Sequence, residues 1–327
     1  MNFSTTKKLT LATHGSNFHA DDLCATGILK TFFAYFYPKI QIKVIRTLDQ
    51  KKIEAADIVY DIGGVYNPKK LRFDHHQKGG AGERANGTKY AAIGLVWKEY
   101  GTQICSHHTE RITGKKATKA QAEAQSLIVQ KRFISHIDAM DNGQMTYTTL
   151  FEDAVPLTLD NYFEMCKTGI SSQGKSIPET NKLYDKTFFR LVPLVQSWLQ
   201  DILTYAIYKE RDDRLALVVY KKAKDKRIIV CDRFYYFNFG KFEEPLVTVY
   251  PDPRGYWAAK IVRTHEDSYD ARFYFPDAWA GLSGAALEEV THVEGSMFCH
   301  NAKFLIVGKT KEIVLRMITQ AFQEKGI

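Results

Sequence analysis

The chain of 327 residues has only five cysteines. Cys24, Cys105, Cys166, Cys231 and Cys299 are scattered, odd in number and never arranged as Cys-x-x-Cys. That pattern argues against a disulfide framework or a zinc ribbon and implies a reducing compartment. No stretch reaches the ~18 consecutive apolar residues of a membrane span. The opening Met1-Asn2-Phe3-Ser4 has no apolar signal-peptide core, so the expectation is a cytoplasmic protein with no membrane partner. Gly79-Gly80-Ala81-Gly82 is followed by no Walker Lys-Ser/Thr, which weakens a phosphate-loop reading. Gly-x-Ser-x-Gly and His-Glu-x-x-His are also missing, which disfavours serine hydrolases and common metallopeptidases. There is no internal repeat and no low-complexity tract.

What is present is an ordinary globular composition, 45% hydrophobic and 25% charged, at a length that favours two domains over one. The formal net charge of +8 is unevenly placed. Residues 1–150 hold 21 Lys and Arg against 13 Asp and Glu, and residues 151–327 hold 24 against 24. A basic first half suits a polyanionic partner such as nucleic acid or nucleotides, and a solvated basic face is the plainer alternative.

The apolar pattern predicts a strand over Lys8–Thr13, a helix from Asp21 to Phe36, a strand over Ile40–Ile45 and an apolar strand over Asp57–Tyr60. Strand and helix in alternation describe an α/β domain with a mainly parallel sheet flanked by helices, expected over residues 1–177. Further helices are expected over Thr88–Tyr100, closed by Gly101, and from Lys119 to Met140. A helical connector is placed at 178–214, ending in the charged run Lys209-Glu210-Arg211-Asp212-Asp213-Arg214. A smaller α+β substrate-binding domain follows over 215–327. Its expected strands are Leu215–Tyr220, Arg227–Cys231, Leu246–Tyr250, Tyr256–Val262, Met297–His300 and Phe304–Val307. Helices are expected from Pro276 to about Glu289 and over Lys311–Phe322.

The chemistry concentrates where the predicted strands end. Ligands of a parallel sheet bind beyond the carboxyl ends of its strands, where His14, Asp61 and Asp74 fall. His14, His19 and Asp21 share one strand-to-helix loop and could converge on an ion, whereas Asp22 is read as a helix cap. Asp61 is placed to bridge two divalent ions, which together clamp a phosphoryl group and polarise a water. Within Asp74-His75-His76, neighbouring side chains on extended backbone point opposite ways, so His75 is assigned to metal. His76 is assigned to substrate phosphate or the leaving group, and Asp74 to orienting a histidine. Asp138 and Asp141 lie near a helix C-terminus, where the dipole disfavours negative charge, so either is a candidate ligand. His107-His108 is expected in a polar loop, at the surface.

Together, Thr13-His14, Phe18-His19-Ala20-Asp21-Asp22, Asp57-Ile58-Val59-Tyr60-Asp61-Ile62-Gly63-Gly64, Phe73-Asp74-His75-His76-Gln77 and Asp138-Ala139-Met140-Asp141-Asn142-Gly143 resemble the Asp-His-His phosphoesterase superfamily. More closely, the chain resembles the melanocyte proliferating gene family of metal-dependent exonucleases. Trp279-Ala280-Gly281-Leu282 and Phe298-Cys299-His300-Asn301-Ala302-Lys303-Phe304 extend the resemblance over nearly the whole chain. It implies a centre of two divalent ions, manganese first and magnesium, cobalt, iron or zinc as alternatives, that cleaves phosphodiesters at RNA ends. His14, His19, Asp21, Asp61, His75 and one of Asp138 and Asp141 would be its ligands, and Arg272 and His300 would hold phosphate. This sequence departs from the family in Gly15-Ser16-Asn17, in Asp22 where Glu is common, and in Ala280 where arginine is frequent.

The expected activity is hydrolysis of RNA or short oligonucleotides, with Asp61, Asp74 and His76 as catalytic residues. Two other readings compete with it. One is a phosphoesterase for a cyclic dinucleotide, nucleotide or pyrophosphate, and the other is a non-catalytic metal-containing protein that binds nucleic acid.

Overall fold

The computed structural model describes residues 7–170, 174–266 and 268–327; the opening Met1-Asn2-Phe3-Ser4 lies outside them. The chain begins with β1 (Lys8–Thr13), α1 (Ala20–Phe36), β2 (Gln41–Arg46), α2 (Gln50–Ala55), β3 (Ile58–Tyr60), β4 (Tyr66–Asn67) and β5 (Arg72–Phe73). The sheet order is β2-β1-β3-β5-β4. All neighbours pair in parallel except β4 with β5. The mixed α/β architecture and mainly parallel first sheet agree with the sequence pattern.

Strand alternation divides this sheet between two faces. Leu9, Leu11, Ile58 and Tyr60 enter the main core with α1. Ala12 and Val59 point the other way and meet Ile53 of α2. The main core also takes Ile93, Val96 and Trp97 of α3 (Ala92–Thr113). Helices α4 (Lys119–Val129) and α5 (Ser135–Asp141) are joined by a π-helical turn at Gln130–Ile134. Such a turn inserts an extra residue and rotates the face that follows, here the one carrying Asp138 and Asp141. Next come α6 (Leu159–Cys166) and α7 (Ile177–Lys222).

Several local expectations are corrected here. Helix α3 does not stop at Gly101 but runs to a left-handed Gly114. A Cβ on Gly101 would stand 2.5 Å from the Trp97 ring, so this glycine makes room for an indole inside the helix. His107 and His108 consequently lie on α3, and His108 is buried, not at the surface. The expected strand Leu215–Tyr220 is the last part of α7. Lys209 pairs with Asp213, and Arg214 with Glu210 at 3.2 Å. These spacings of four support helix, so the charged run continues the element it was expected to end.

The chain falls into two compact units, one reaching Ile207 and the other starting at Tyr208. The second contains β6 (Ile228–Val230), β7 (Val247–Pro251), β8 (Trp257–Ile261), α8 (Ala285–Thr291), β9 (Ser296–Cys299), β10 (Leu305–Gly308) and α9 (Lys311–Lys325). Its sheet runs β6-β7-β8-β10-β9. Only β6 and β7 pair in parallel. Val247, Val249, Ala259 and Ile261 pack with Val314, Met317 and Ile318 of α9. Where one helix was expected from Pro276, a 3-10 turn at Asp277–Trp279 precedes the separate α8.

Candidate metal centre

Three parallel strands deliver the site. Residue His14 follows β1, Asp61 follows β3, and Asp74-His75-His76 follows β5. The chain leaves β1 toward β2 on one side, and the strands after β3 add on the other. A crevice forms where connections part in this way, and His14 and Asp61 flank it. Asp61 has left-handed backbone, φ 55°, and its N–H donates to the Phe73 carbonyl at 3.2 Å. Such an outlier costs on the order of 1–3 kcal/mol and aims the carboxylate across the strand ends.

The two oxygens of Asp61 face different histidines. Its Oδ2 lies 3.2 Å from His14 Nε2, and its Oδ1 lies 3.4 Å from His75 Nε2. His75 Nε2 is also 3.1 Å from Asp141 Oδ2. Potential ligand atoms of His14, His19 and Asp61 lie within 4.8 Å of one another, as do those of Asp21, His75 and Asp141. Asp61, Asp74, His75 and His76 form a third such group, which shares Asp61 with the first and His75 with the second, so five of the sequence-expected ligands, and Asp141 of the alternative pair, fall in overlapping groups.

Asp138 sits apart from both groups. Its Oδ1 accepts from the Ala91 and Gly94 N–H groups at 2.7 and 3.0 Å, and its Oδ2 accepts from Arg84 Nη2. Asp21 accepts from the Ala92 and Ile93 N–H groups at 2.9 and 2.6 Å, which fixes its carboxylate against the start of α3. Asp22 accepts from the His19 N–H at 2.8 Å, the capping contact expected of it.

The three members of the Asp-His-His triplet differ in their contacts and exposure. Asp74 Oδ1 accepts from the His75 and His76 main-chain N–H groups, and lies 2.7 Å from His76 Nδ1. Its Oδ2 accepts from Gly64 N–H. The His75 side chain is 6% exposed, whereas that of His76 is 60% exposed.

Two buried cations, which sequence reasoning did not single out, hold the His14–His19 loop. Arg46 donates to the Ser16 and Asn17 carbonyls and pairs with Asp185 at 2.6 Å. Lys167 donates to the Phe18 carbonyl at 2.6 Å and to Asn17 Oδ1 at 3.0 Å. Arg46 ends β2, so the same strand-end rule that finds His14 and Asp61 would find it. Lys167 carries no comparable signal.

The electrostatics describe a site in need of cations. Burial disfavours a charged His75, yet Asp141 and Asp61 outweigh it and hold the ring's pKa up at about 11. His14 is likewise raised to about 9, against burial, chiefly by Asp61 and Asp22. Burial first, then Asp61 and Asp141, push Asp21 well above the usual carboxylate range. His14 Nε2, His75 Nε2 and Asp61 Oδ2 are buried with no aligned hydrogen-bond partner. Orphaned imidazole nitrogens beside carboxylate oxygens fit a divalent ion of the manganese, iron, cobalt or zinc kind.

In the second unit, Arg272 donates to the carbonyls of Gly240, Phe242 and Glu243. His300 Nδ1 accepts from Ala302 N–H, and its ring lies 4.2 Å from that of Phe304.

Several known proteins are similar to this chain over most of its length. An MYG1 protein of Dictyostelium discoideum is 27% identical over 97% of this chain and 97% of its own length. An MYG1 protein of Saccharomyces cerevisiae is 28% identical over 94% of each chain. The MYG1 exonuclease of Homo sapiens is 24% identical over 97% of this chain and 86% of its own. Among solved structures, RecJ in complex with Mn2+ from Thermus thermophilus aligns with a TM-score of 0.28 and 11% identity, covering 96% of this chain and 52% of that one. Residues 10–322 match the MYG1_exonuc model, described as Uncharacterised protein family (UPF0160), and the chain belongs to that family.

Proposed function

We propose that this protein is a metal-dependent exonuclease that hydrolyses RNA or short oligonucleotides at a centre of two divalent ions. The observation that carries the reading is Asp61, whose two oxygens face separate histidines, His14 in one ligand group and His75, which is also grouped with Asp21 and Asp141. The name exonuclease on mammalian relatives supports the same class of reaction. His14, His19 and Asp61 would hold one ion, and Asp21, His75 and Asp141, with Asp61, the other. When bound, the ions, manganese in the first instance, supply Lewis acidity that activates water and offsets charge on the phosphoryl group.

The chain's own residues do the rest. Asp74 fixes Nδ1 of His76, which leaves Nε2 free to face substrate. Contact with Asp74 raises the His76 pKa despite burial, so the ring can carry the proton needed by a leaving oxygen. Arg46 and Lys167 keep the His14–His19 loop in place. In the second unit His300 is the stronger substrate contact, because Arg272 directs its donors to main-chain carbonyls. The scattered, free cysteines suit a reducing, cytoplasmic setting.

The test is a panel of divalent ions against 5′- and 3′-labelled RNA and DNA oligomers, with small phosphate compounds alongside, using wild type and Asp61→Asn. Asparagine tolerates left-handed backbone, so the variant should fold. Expected is manganese-dependent shortening of oligomers by wild type and none by Asp61→Asn. Undiminished activity in the variant, or no hydrolysis by wild type with any ion, would overturn the proposal.

A further inference from the structure

We infer that Arg84 is a positioning residue for the metal centre, acting through Asp138 and the first turn of α3 on the ligand Asp21. The inference rests on the proposed function in taking Asp21 as a ligand. It adds a residue from a loop with no place in the metal-ligand motifs.

A helix starts with N–H groups that have no partner within the helix. At the start of α3 four successive groups are shared by two carboxylates. Ala91 and Gly94 donate to Asp138, and Ala92 and Ile93 donate to Asp21. Asp21 comes from α1 and Asp138 from α5. The turn is therefore a rigid block gripped on two sides, and moving one grip moves the other. Asp21 meets this block with both oxygens, and one of them also lies in the group with His75 and Asp141.

Arg84 sets the Asp138 grip. Its side chain is 7% exposed, donates to Asp138, and stacks with its guanidinium carbon 4.2 Å from the Tyr90 ring centre. Asp138 is fully buried, and an unpaired charge there would be strongly unfavourable. By pairing with Asp138, Arg84 prevents a further uncompensated negative charge beside the carboxylates of the centre. The positive end of α3, which both carboxylates share, then faces only one uncompensated charge, that of Asp21. Arginine cannot ligate a cation, and its own charge repels one, so a loss of metal affinity on removing Arg84 must pass through the neighbours it holds.

The experiment measures Mn2+ affinity and stoichiometry of the full chain by calorimetry, beside circular dichroism, thermal melting, and KM and kcat on a labelled oligonucleotide. Arg84→Met should weaken Mn2+ binding by about 10–100-fold, the range for partners that orient ligands, without changing the number of ions bound. Arg84→Lys should fall between it and wild type, since it keeps the charge and loses the flat stack. In the double variant Arg84→Met with Asp138→Asn, both charges are gone and the amide oxygen still accepts from Ala91 and Gly94. Its Mn2+ affinity should recover most of the loss. Should Arg84→Met fail to fold, Arg84→Lys and the double variant carry the test.

Wild-type Mn2+ affinity in folded Arg84→Met would overturn the inference. So would a change confined to KM for the oligonucleotide, which would make Arg84 a substrate contact. A double variant that folds and binds no better than Arg84→Met, or no better than Arg84→Lys where the former does not fold, overturns it too. Wild type that binds no Mn2+ overturns the proposed function instead, so the two failures are distinguishable.

Discussion

A Cβ on Gly94 would stand 2.2 Å from Oδ2 of Asp138, in the space the carboxylate already fills. Both groups are buried, and Asp138 is tied to Ala91, Gly94 and Arg84. Gly94 is an ordinary helical residue, with no left-handed backbone to explain its choice. It is glycine because two elements approach too closely for anything larger.

Gly94→Ala should therefore destabilise the protein by about 1–3 kcal/mol, the usual cost of overpacking. At about 2–4 °C per kcal/mol for a chain above 150 residues, thermal melting resolves this easily. Because the displaced group also grips α3, Mn2+ affinity should fall in the same variant. Unchanged melting temperature and unchanged Mn2+ binding would contradict the close approach.

Much of the candidate centre was legible because parallel strands impose a rule on it. Residues at their carboxyl ends share a crevice, and His14, Asp61 and Asp74 follow β1, β3 and β5. Asp138 and Asp141 could not be separated in this way. Both lie on α5 three residues apart, and what distinguishes them is distant in sequence: Arg84 and the start of α3 for Asp138, His75 for Asp141. Hydrogen bonding across 44 to 54 residues leaves no local trace.

The fold was legible where strands alternate and obscure where one signal has two physical meanings. Gly101 reads as a helix end, yet it clears space for Trp97. The run from Lys209 to Arg214 reads as the end of a helix, yet its charges pair along one that continues to Lys222. Both ambiguities are settled by packing partners, not by neighbours in sequence.

His108 supplies a test by pH. The ring is 2% exposed, with Nδ1 2.9 Å from the Tyr35 hydroxyl and Nε2 3.0 Å from that of Thr204. Burial, then repulsion from Arg111 and His107, lowers its pKa to about 4 from 6.5. Between those values the unfolded chain holds a proton that the folded chain lacks. Its stabilising effect is complete above 6.5 and is lost as pH falls toward 4, by up to about 1.4 kcal/mol per unit. Urea unfolding at pH 7 and pH 5 should show a smaller loss for His108→Gln than for wild type. Identical losses would mean that His108 is not the group being titrated.

The last prediction separates His76 from the ligands beside it. If His76 moves a proton and binds no ion, His76→Ala should lower kcat by about 100–10,000-fold, the span of general acid-base contributions. Its Mn2+ affinity should stay at the wild-type value. Asp74 Oδ1 lies 2.7 Å from His76 Nδ1, so Asp74→Asn should cost kcat about 10–100-fold through a misaligned ring. If Asp74 acts on the reaction through His76, adding Asp74→Asn to His76→Ala should lower kcat no further. Additive losses would give Asp74 a task of its own, for which its contacts to the Gly64 and His75 N–H groups are the obvious cause. A fall in Mn2+ affinity with His76→Ala would make His76 a ligand and end the division of roles within the triplet.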